Sequence, residues 1–351
     1  MTHLWVRAEQ RANETRVGIT PAGVSALMRA GITVTVEAST TRCIATQDYA
    51  ATGATIAPEV SWPDAPDDAI IFGLKELPDD GTPLRHRHIM FGHAYKGQPS
   101  GQVLLRRFAA GGGTLYDLEY LVGATGRRVA AFGYWAGYAG AAVALMAWAA
   151  QQGGQIVGPI DAYASANHML ADLQTALVTA GAFRPTALII GALGRVGTGA
   201  ADLCTAMGVP ATKWDMAETA HGGPFPQVLR HDIFLNCILA RPGTPVFVPR
   251  SALGAPRKLC VIGDIACDPD SDFSPIKVYD RATSWAEPAL RVHDTPPLDV
   301  VAIDNLPSML PVESAEDYAE QLLPSLLTLQ DLNAGVWARA KGDFVRAMSS
   351  L

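Results

Sequence analysis

The sequence predicts an α/β protein whose parallel sheets are flanked by helices, and three observations predict it. Short apolar runs suited to buried strands alternate with longer stretches of helical spacing. Glycine closes several of these helical stretches, as in strand, helix, strand units, and polar residues gather just past the apolar runs. With 351 residues the chain has room for two such domains and their cores.

Residues 4–7 and 32–37 read as strands. Between them Thr20-Pro21-Ala22-Gly23 opens a helix carried by Val24, Leu27 and Met28, with Gly31 as its stop. A helix near Tyr49 ends by Gly53, and Thr55 to Ala57 is a short strand. Ala69 to Gly73 and Ile89 to Gly92 are strands ending in Leu74-Lys75-Glu76 and His93, which places polar groups where parallel sheets bind ligands. A helix over 99–110 and three glycines lead to a strand over Thr114 to Leu118, which ends among Asp117 and Glu119.

The run from Val129 to Gly153 carries no acid, lysine or arginine and is long enough to cross a bilayer. Its alanines and glycines, and the glutamines that close it, predict instead a tightly packed helix between two domains. A helix over 165–180 precedes a strand over 186–190, and a helix over 197–207 stops at Gly208. Further strands are expected at Ala211 to Asp215, Ile233 to Ile238 and Leu259 to Ile265. Proline and aspartate at 268–275 and 287–298 predict surface loops. Two closing helices, Ser314 to Leu332 and Leu332 to Met348, are expected to return to the first domain.

Composition narrows the function. An apolar fraction of 49% with 17% charge excludes disorder as the main state, and a net charge of −7 gives no electrostatic reason to expect nucleic acid. The five cysteines, at 43, 204, 237, 260 and 267, form neither a CxxC pair nor a metal spacing, so no metal is expected and a reducing cytoplasm is the simplest setting. The first residues lack the apolar core of a secretory signal, and the last lack the usual peroxisomal tripeptide.

The strand ending at Ile190 empties into Gly191-Ala192-Leu193-Gly194-Arg195-Val196-Gly197, which predicts a dinucleotide site. Glycines permit a tight turn against a pyrophosphate, and the following helix offers its N-terminal amides. Asp215, 24 residues after Gly191, is spaced to accept hydrogen bonds from ribose hydroxyls and to repel a 2'-phosphate, which favours NAD over NADP. The motif is one residue longer than the usual Gly-x-Gly-x-x-Gly, so a glycine-rich turn with no ligand stands as the alternative.

A second constellation lies at the strand ends of the first domain: Arg16, Lys75, Glu76, His93, Lys96, Glu119 and Arg128. Lys75 and His93 end adjacent candidate strands and can face one cleft, and two arginines suit a substrate with carboxylates. Each also has an ordinary structural reading: a solvated lysine, a core histidine, a loop-binding arginine, and glutamates that cap helices or pair with Arg128.

Lys75-Glu76, Phe91 to Lys96, Thr114 to Glu119, Gly126 to Gly133, Gly191 to Arg195, Trp214-Asp215, Gly222 to Phe225, Asn236 to Ile238 and Asp304 to Ser308 together resemble the NAD-dependent, lysine-forming saccharopine dehydrogenases. That family shares the longer nucleotide turn. The resemblance implies two Rossmann-like domains related to alanine dehydrogenase and the transhydrogenase nucleotide modules, with the active site in the interdomain cleft. It implies a substrate domain of 1–130 and 310–351 and a dinucleotide-binding domain of 131–309.

By the same resemblance Lys75 and His93 are the acid/base pair, and Arg16, Glu76, Glu119, Arg128 and Phe132 meet the substrate. Gly191, Leu193, Gly194, Arg195, Val196, Gly197, Asp215 and Asp304 meet NAD. The implied partners are saccharopine, or lysine plus 2-oxoglutarate, and the family leans towards a monomer, with a dimer open. Val196 stands where some members bear a cysteine, so their disulfide to the position of Cys237 cannot form here. Another opine or amino-acid dehydrogenase, or an NAD-binding protein without turnover, remain the alternatives.

Overall fold

The computed structural model describes residues 1–11, 14–97, 99–181 and 183–351. The chain divides into two compact units, Met1–Ala131 with Pro311–Leu351, and Phe132–Leu310.

The first unit holds strands β1 (His3–Val6), β2 (Thr33–Glu37), β3 (Thr55–Ala57), β4 (Ile70–Phe72), β5 (Arg87–Met90) and β6 (Thr114–Asp117). They form one parallel sheet in the order β3-β2-β1-β4-β5-β6. Its helices are α1 (Pro21–Arg29), α2 (Thr46–Ala50) and α3 (Pro99–Gly111). Thr20 caps α1 by accepting from the Gly23 amide at 3.2 Å, and Pro21 occupies the first turn, where no amide is needed. Ile71, Met90 and Leu115 pack with Leu104, Leu105 and Phe108 of α3 into one core. The order reverses at β1, whose neighbours are β2 and β4, so ligands are expected beyond the carboxyl ends there.

The second unit begins with α4 (Gly133–Gln152) and α5 (Ala166–Thr179). β7 (Ala187–Ile190), α6 (Arg195–Ala206), β8 (Ala211–Trp214), α7 (Met216–Thr219), β9 (Ile233–Asn236), β10 (Val261–Asp264), β11 (Leu290–Asp294) and β12 (Pro297–Val301) follow. The sheet order is β11-β12-β10-β9-β7-β8, parallel except for β11. Both faces are covered: Ala187 and Ile189 enter the core beneath α4, α5 and α6, while Leu188 and Ile190 enter the opposite one. That is why β7 reads as an unbroken apolar run rather than an alternating one.

Helix α4 owes its alanines and glycines to backbone contact with α6. A Cβ on Gly137 would lie 1.8 Å from the Val196 carbonyl oxygen, and one on Gly199 would lie 1.9 Å from that of Tyr134. Among the described residues no helix is long and apolar enough to cross a membrane.

The stretch 287–298 departs from the surface loop expected of it. It holds β11 and the start of β12, an antiparallel pair in which Asp294 faces Pro297. Pro288 precedes β11, Pro296 sits in the turn and Pro297 takes the first position of β12, where a missing amide costs little. Leu290 and Val292 of β11 pack on the core from alternate positions, but the strand is only half-buried and too short for that alternation to stand out beside the prolines. Two further helices, α8 (Pro311–Leu326) and α9 (Gly335–Met348), belong to the first unit, where Trp337 is fully buried against Tyr116 of β6.

Candidate active site

In the first unit the candidate residues hang from the carboxyl ends of β1, β4, β5 and β6. Lys75 follows β4, and its peptide is held from the end of β1. The buried Arg7 guanidinium donates to the Lys75 carbonyl, and Glu9 accepts from the amides of Leu74 and Lys75 at 2.6 and 3.0 Å. Arg7 and Glu9 pair with each other at 3.4 Å. Charge-assisted bonds of this kind fix a backbone firmly.

The Lys75 amine is pushed down from the usual lysine range, first by burial and then by the charge of Arg16. Glu14 opposes that shift more than the adjacent Glu76 does. The carboxylate next to Lys75 in sequence thus bears on it less than Glu14, which lies far from it along the chain. Glu76 points instead to Arg11 at 3.5 Å.

His93 lies beyond β5, next to β4, and takes a left-handed backbone with φ of 48°. Its Nδ1 meets Glu119 Oε2 at 3.2 Å, donating when protonated, and Lys96 Nζ donates to Glu119 Oε1 at 2.7 Å. The contact with Glu119 raises the imidazole above its ordinary value against the opposing effect of burial. The Glu119 carboxyl is in turn pushed down to about 2, chiefly by His93 and then by Lys96. Glu119 therefore serves His93 and Lys96 and is not a helix cap.

Arg16 is buried and meets Glu14 through Nε at 2.8 Å and Nη2 at 2.6 Å. Two of its nitrogens are thereby engaged within the protein. Arg128 is exposed on a short antiparallel bridge with Val122, and its charge is felt by Lys96 and Tyr318. The fold thus gathers Lys75, His93, Glu119, Arg16 and Arg128 on one set of strand ends. Arg7, Glu9 and Glu14, which hold and tune them, carry no motif; only their proximity to a strand end could have marked them.

In the second unit the glycine turn follows β7, where the strand order reverses between β8 and β9. Gly191 has φ of +88°, and a Cβ on it would meet Ile238 at 2.5 Å. A Cβ on Gly197 would lie 2.1 Å from the Gly191 carbonyl oxygen, so helix and turn close on each other only without side chains. Gly194 is the N-cap of α6 and offers no side-chain acceptor to its first amides. An anion is a natural partner for such an end.

Asp215 follows β8 and caps α7, accepting from the Met216 amide at 2.9 Å and the Leu193 amide at 3.0 Å. The ribose candidate is thereby tied to the glycine turn. Leu193, Gly194 and Arg195 are exposed, and Val196 is half-buried. Phe132 is the half-buried N-cap of α4. Asp304 stands elsewhere, exposed beyond β12, three strands from β7, with its charge felt by Cys267.

Residues 5–139 match the alanine dehydrogenase/PNT N-terminal domain family. An L-alanine dehydrogenase structure aligns with TM-score 0.65 at 18% identity, covering 99% of this chain and 94% of the other. A transhydrogenase from Sinorhizobium meliloti aligns with TM-score 0.62 at 18% identity, covering 94% and 95%. The fold is thus the two-unit α/β fold shared with these alanine dehydrogenase and transhydrogenase structures.

Sequence likeness narrows the class. Saccharopine dehydrogenase (NAD(+), L-lysine-forming) of Schizosaccharomyces pombe is 43% identical over 97% of this chain and 96% of its own length. The Neurospora crassa protein of the same name is 44% identical over 100% and 97%. The chain belongs to the family of NAD-dependent, lysine-forming saccharopine dehydrogenases.

Proposed function

We propose that the chain catalyses the reversible, NAD-dependent conversion of saccharopine and water to L-lysine and 2-oxoglutarate. Near-full-length identity of 43–44% to enzymes of that name carries the proposal. The second unit fits the cofactor: an uncapped helix end suits a pyrophosphate, and Asp215 suits ribose hydroxyls while repelling a 2'-phosphate. Gly191, Leu193, Gly194, Arg195, Val196 and Gly197 would line that contact, with Asp304 at a second strand end. When bound, NAD supplies the hydride acceptor.

Lys75, made less basic by burial and Arg16, would take the proton of the substrate's secondary amine, freeing its lone pair to form the C=N bond. His93 would then deprotonate the water that attacks the imine carbon, and protonated imidazole would give its proton to the departing lysine amine. Because Glu119 favours imidazolium, the oxidative rate should rise with pH through the raised value of His93. Arg128 and the remaining reach of Arg16 would align substrate carboxylates, Glu76 would contribute charge, and Phe132 would pack beside the bound substrate. We further place the chain in the cytoplasm, supported by five free cysteines that suit a reducing compartment.

The test is NADH oxidation with 2-oxoglutarate, comparing lysine with ornithine, alanine and ammonia. Strong selectivity for lysine is expected. Preference for ammonia or alanine would replace the proposal by another amino-acid or opine dehydrogenase, and binding of NADH without turnover would make the chain a non-catalytic NAD protein.

A further inference from the structure

We propose that Asp117 is the positioning residue that sets His93 and Glu119 against each other, one buried carboxylate fastening both strand ends. This rests on the acid/base role of His93 proposed above. Asp117 is the last residue of β6 and is fully buried. Its Oδ1 accepts from the Glu119 amide at 2.9 Å, while its Oδ2, with no hydrogen-bond partner among the described residues, lies against Gly92 of the neighbouring strand end. β5 and β6 are paired side by side, Met90 opposite Asp117, so the carboxylate reaches across the ladder to the peptide just before His93.

The approach is close on every side. A Cβ on Gly92 would lie 3.2 Å from Asp117 Oδ2 and 2.7 Å from Leu115. The next residue, His93, holds a left-handed backbone that a side-chain-bearing residue keeps only when its surroundings enforce it. Packing Gly92 against the same carboxylate that holds the Glu119 amide supplies that enforcement. The result is the contact between Nδ1 and Oε2 that defines the site.

Asp117 also acts through its charge. Burial pushes its carboxyl up to about 6, while the bond from the Glu119 amide and the charge of His93 hold it down. His93 and Tyr95 face it from the segment after β5, Glu119 and Tyr120 from that after β6, and Tyr318 from α8. Once ionised it joins Glu119 in favouring imidazolium. Motion of His93 and its protonation are thereby coupled to one residue that need not touch substrate.

The experiment follows the His93 Cε1 resonance against pH in the full chain and in Asp117→Asn, with NADH affinity and the pH profile of kcat/KM. In the variant the His93 midpoint should fall by about 0.5 pH unit or more. The acidic limb of saccharopine oxidation should move down with it, and kcat should fall about 10-fold with NADH affinity within about twofold. An unmoved midpoint overturns the proposal.

A second measurement serves if Asp117→Asn does not fold. In His93→Gln, the amide resonances of Gly92 and Glu119 should still titrate near pH 6 as Asp117 ionises; flat curves overturn the proposal. Failures remain separable. A moved midpoint with normal turnover in His93→Gln sinks the acid/base role and leaves the clamp, whereas an unmoved midpoint with lost turnover does the reverse.

Discussion

In the first unit the strand ends are held by charged side chains: the Lys75 peptide by Arg7 and Glu9, and the His93 ring by Glu119, which Lys96 also meets. In the second unit the strand end after β7 carries almost no side chain, and its shape comes from backbone packed on backbone at Gly191 and Gly197. Proton transfer needs groups whose basicity is set by neighbours, which calls for ion pairs in a partly desolvated place. Holding a dinucleotide calls for exposed amides and close approach, which side chains would obstruct. One sheet architecture serves both because each presents its carboxyl edge as a row of loops.

The contrast is broken most sharply at the two residues proposed to handle protons. Replacing Lys75 with Met or His93 with Gln should lower turnover by about 100-fold or more while NADH affinity stays near normal. Near-normal kcat in both variants would remove charge from the account of the first unit. Gly197→Val probes the second unit by placing a side chain where only 2.1 Å separates Cβ from a carbonyl oxygen. It should cost about 1–3 kcal/mol of stability and weaken NADH by at least about 10-fold, read by denaturant unfolding and fluorescence titration. Unaltered NADH binding would show that the turn does not hold the cofactor.

Asp215→Ala is expected to have a smaller effect. Losing the acid should relax the preference for NAD over NADP by about 10-fold, and losing the cap should cost about 1 kcal/mol. An unchanged cofactor ratio with lowered stability would leave Asp215 a cap alone.

The smallest effect concerns stability in the first unit. His88 on β5 is fully buried beside Trp62 and Phe108, with no hydrogen-bond partner for either ring nitrogen among the described residues. Burial, then the charge of Arg7, holds its pKa well below the ordinary value. The unfolded chain therefore binds this proton more readily, and stability falls as pH drops below about 6.5. His88→Leu should move the acid-unfolding midpoint to lower pH; an unmoved midpoint would locate acid sensitivity elsewhere.

Much of this molecule was legible from its residues. Apolar runs marked β4, β5, β7 and β10, Thr20-Pro21 opened α1, and the spacing of the glycines marked the turn after β7 to which Asp215 is bonded. The pair β11 and β12 escaped because prolines at a turn look the same as prolines in a loop. Glu76 drew attention through adjacency to Lys75, yet Glu14 has the larger influence on that amine.

By itself the sequence determined the alternation of strands and helices, the strand-end positions of Lys75 and His93, and the family, because periodicity, turn chemistry and motif spacing are local properties of a chain. Only the tertiary structure decided which charges meet. Glu119 reaches His93 across 26 positions, and Arg7 reaches the backbone carbonyl of Lys75 across 68, through strands paired by the sheet. Basicity depends on burial and on neighbours brought near by folding, and neither is written in the order of residues along one strand.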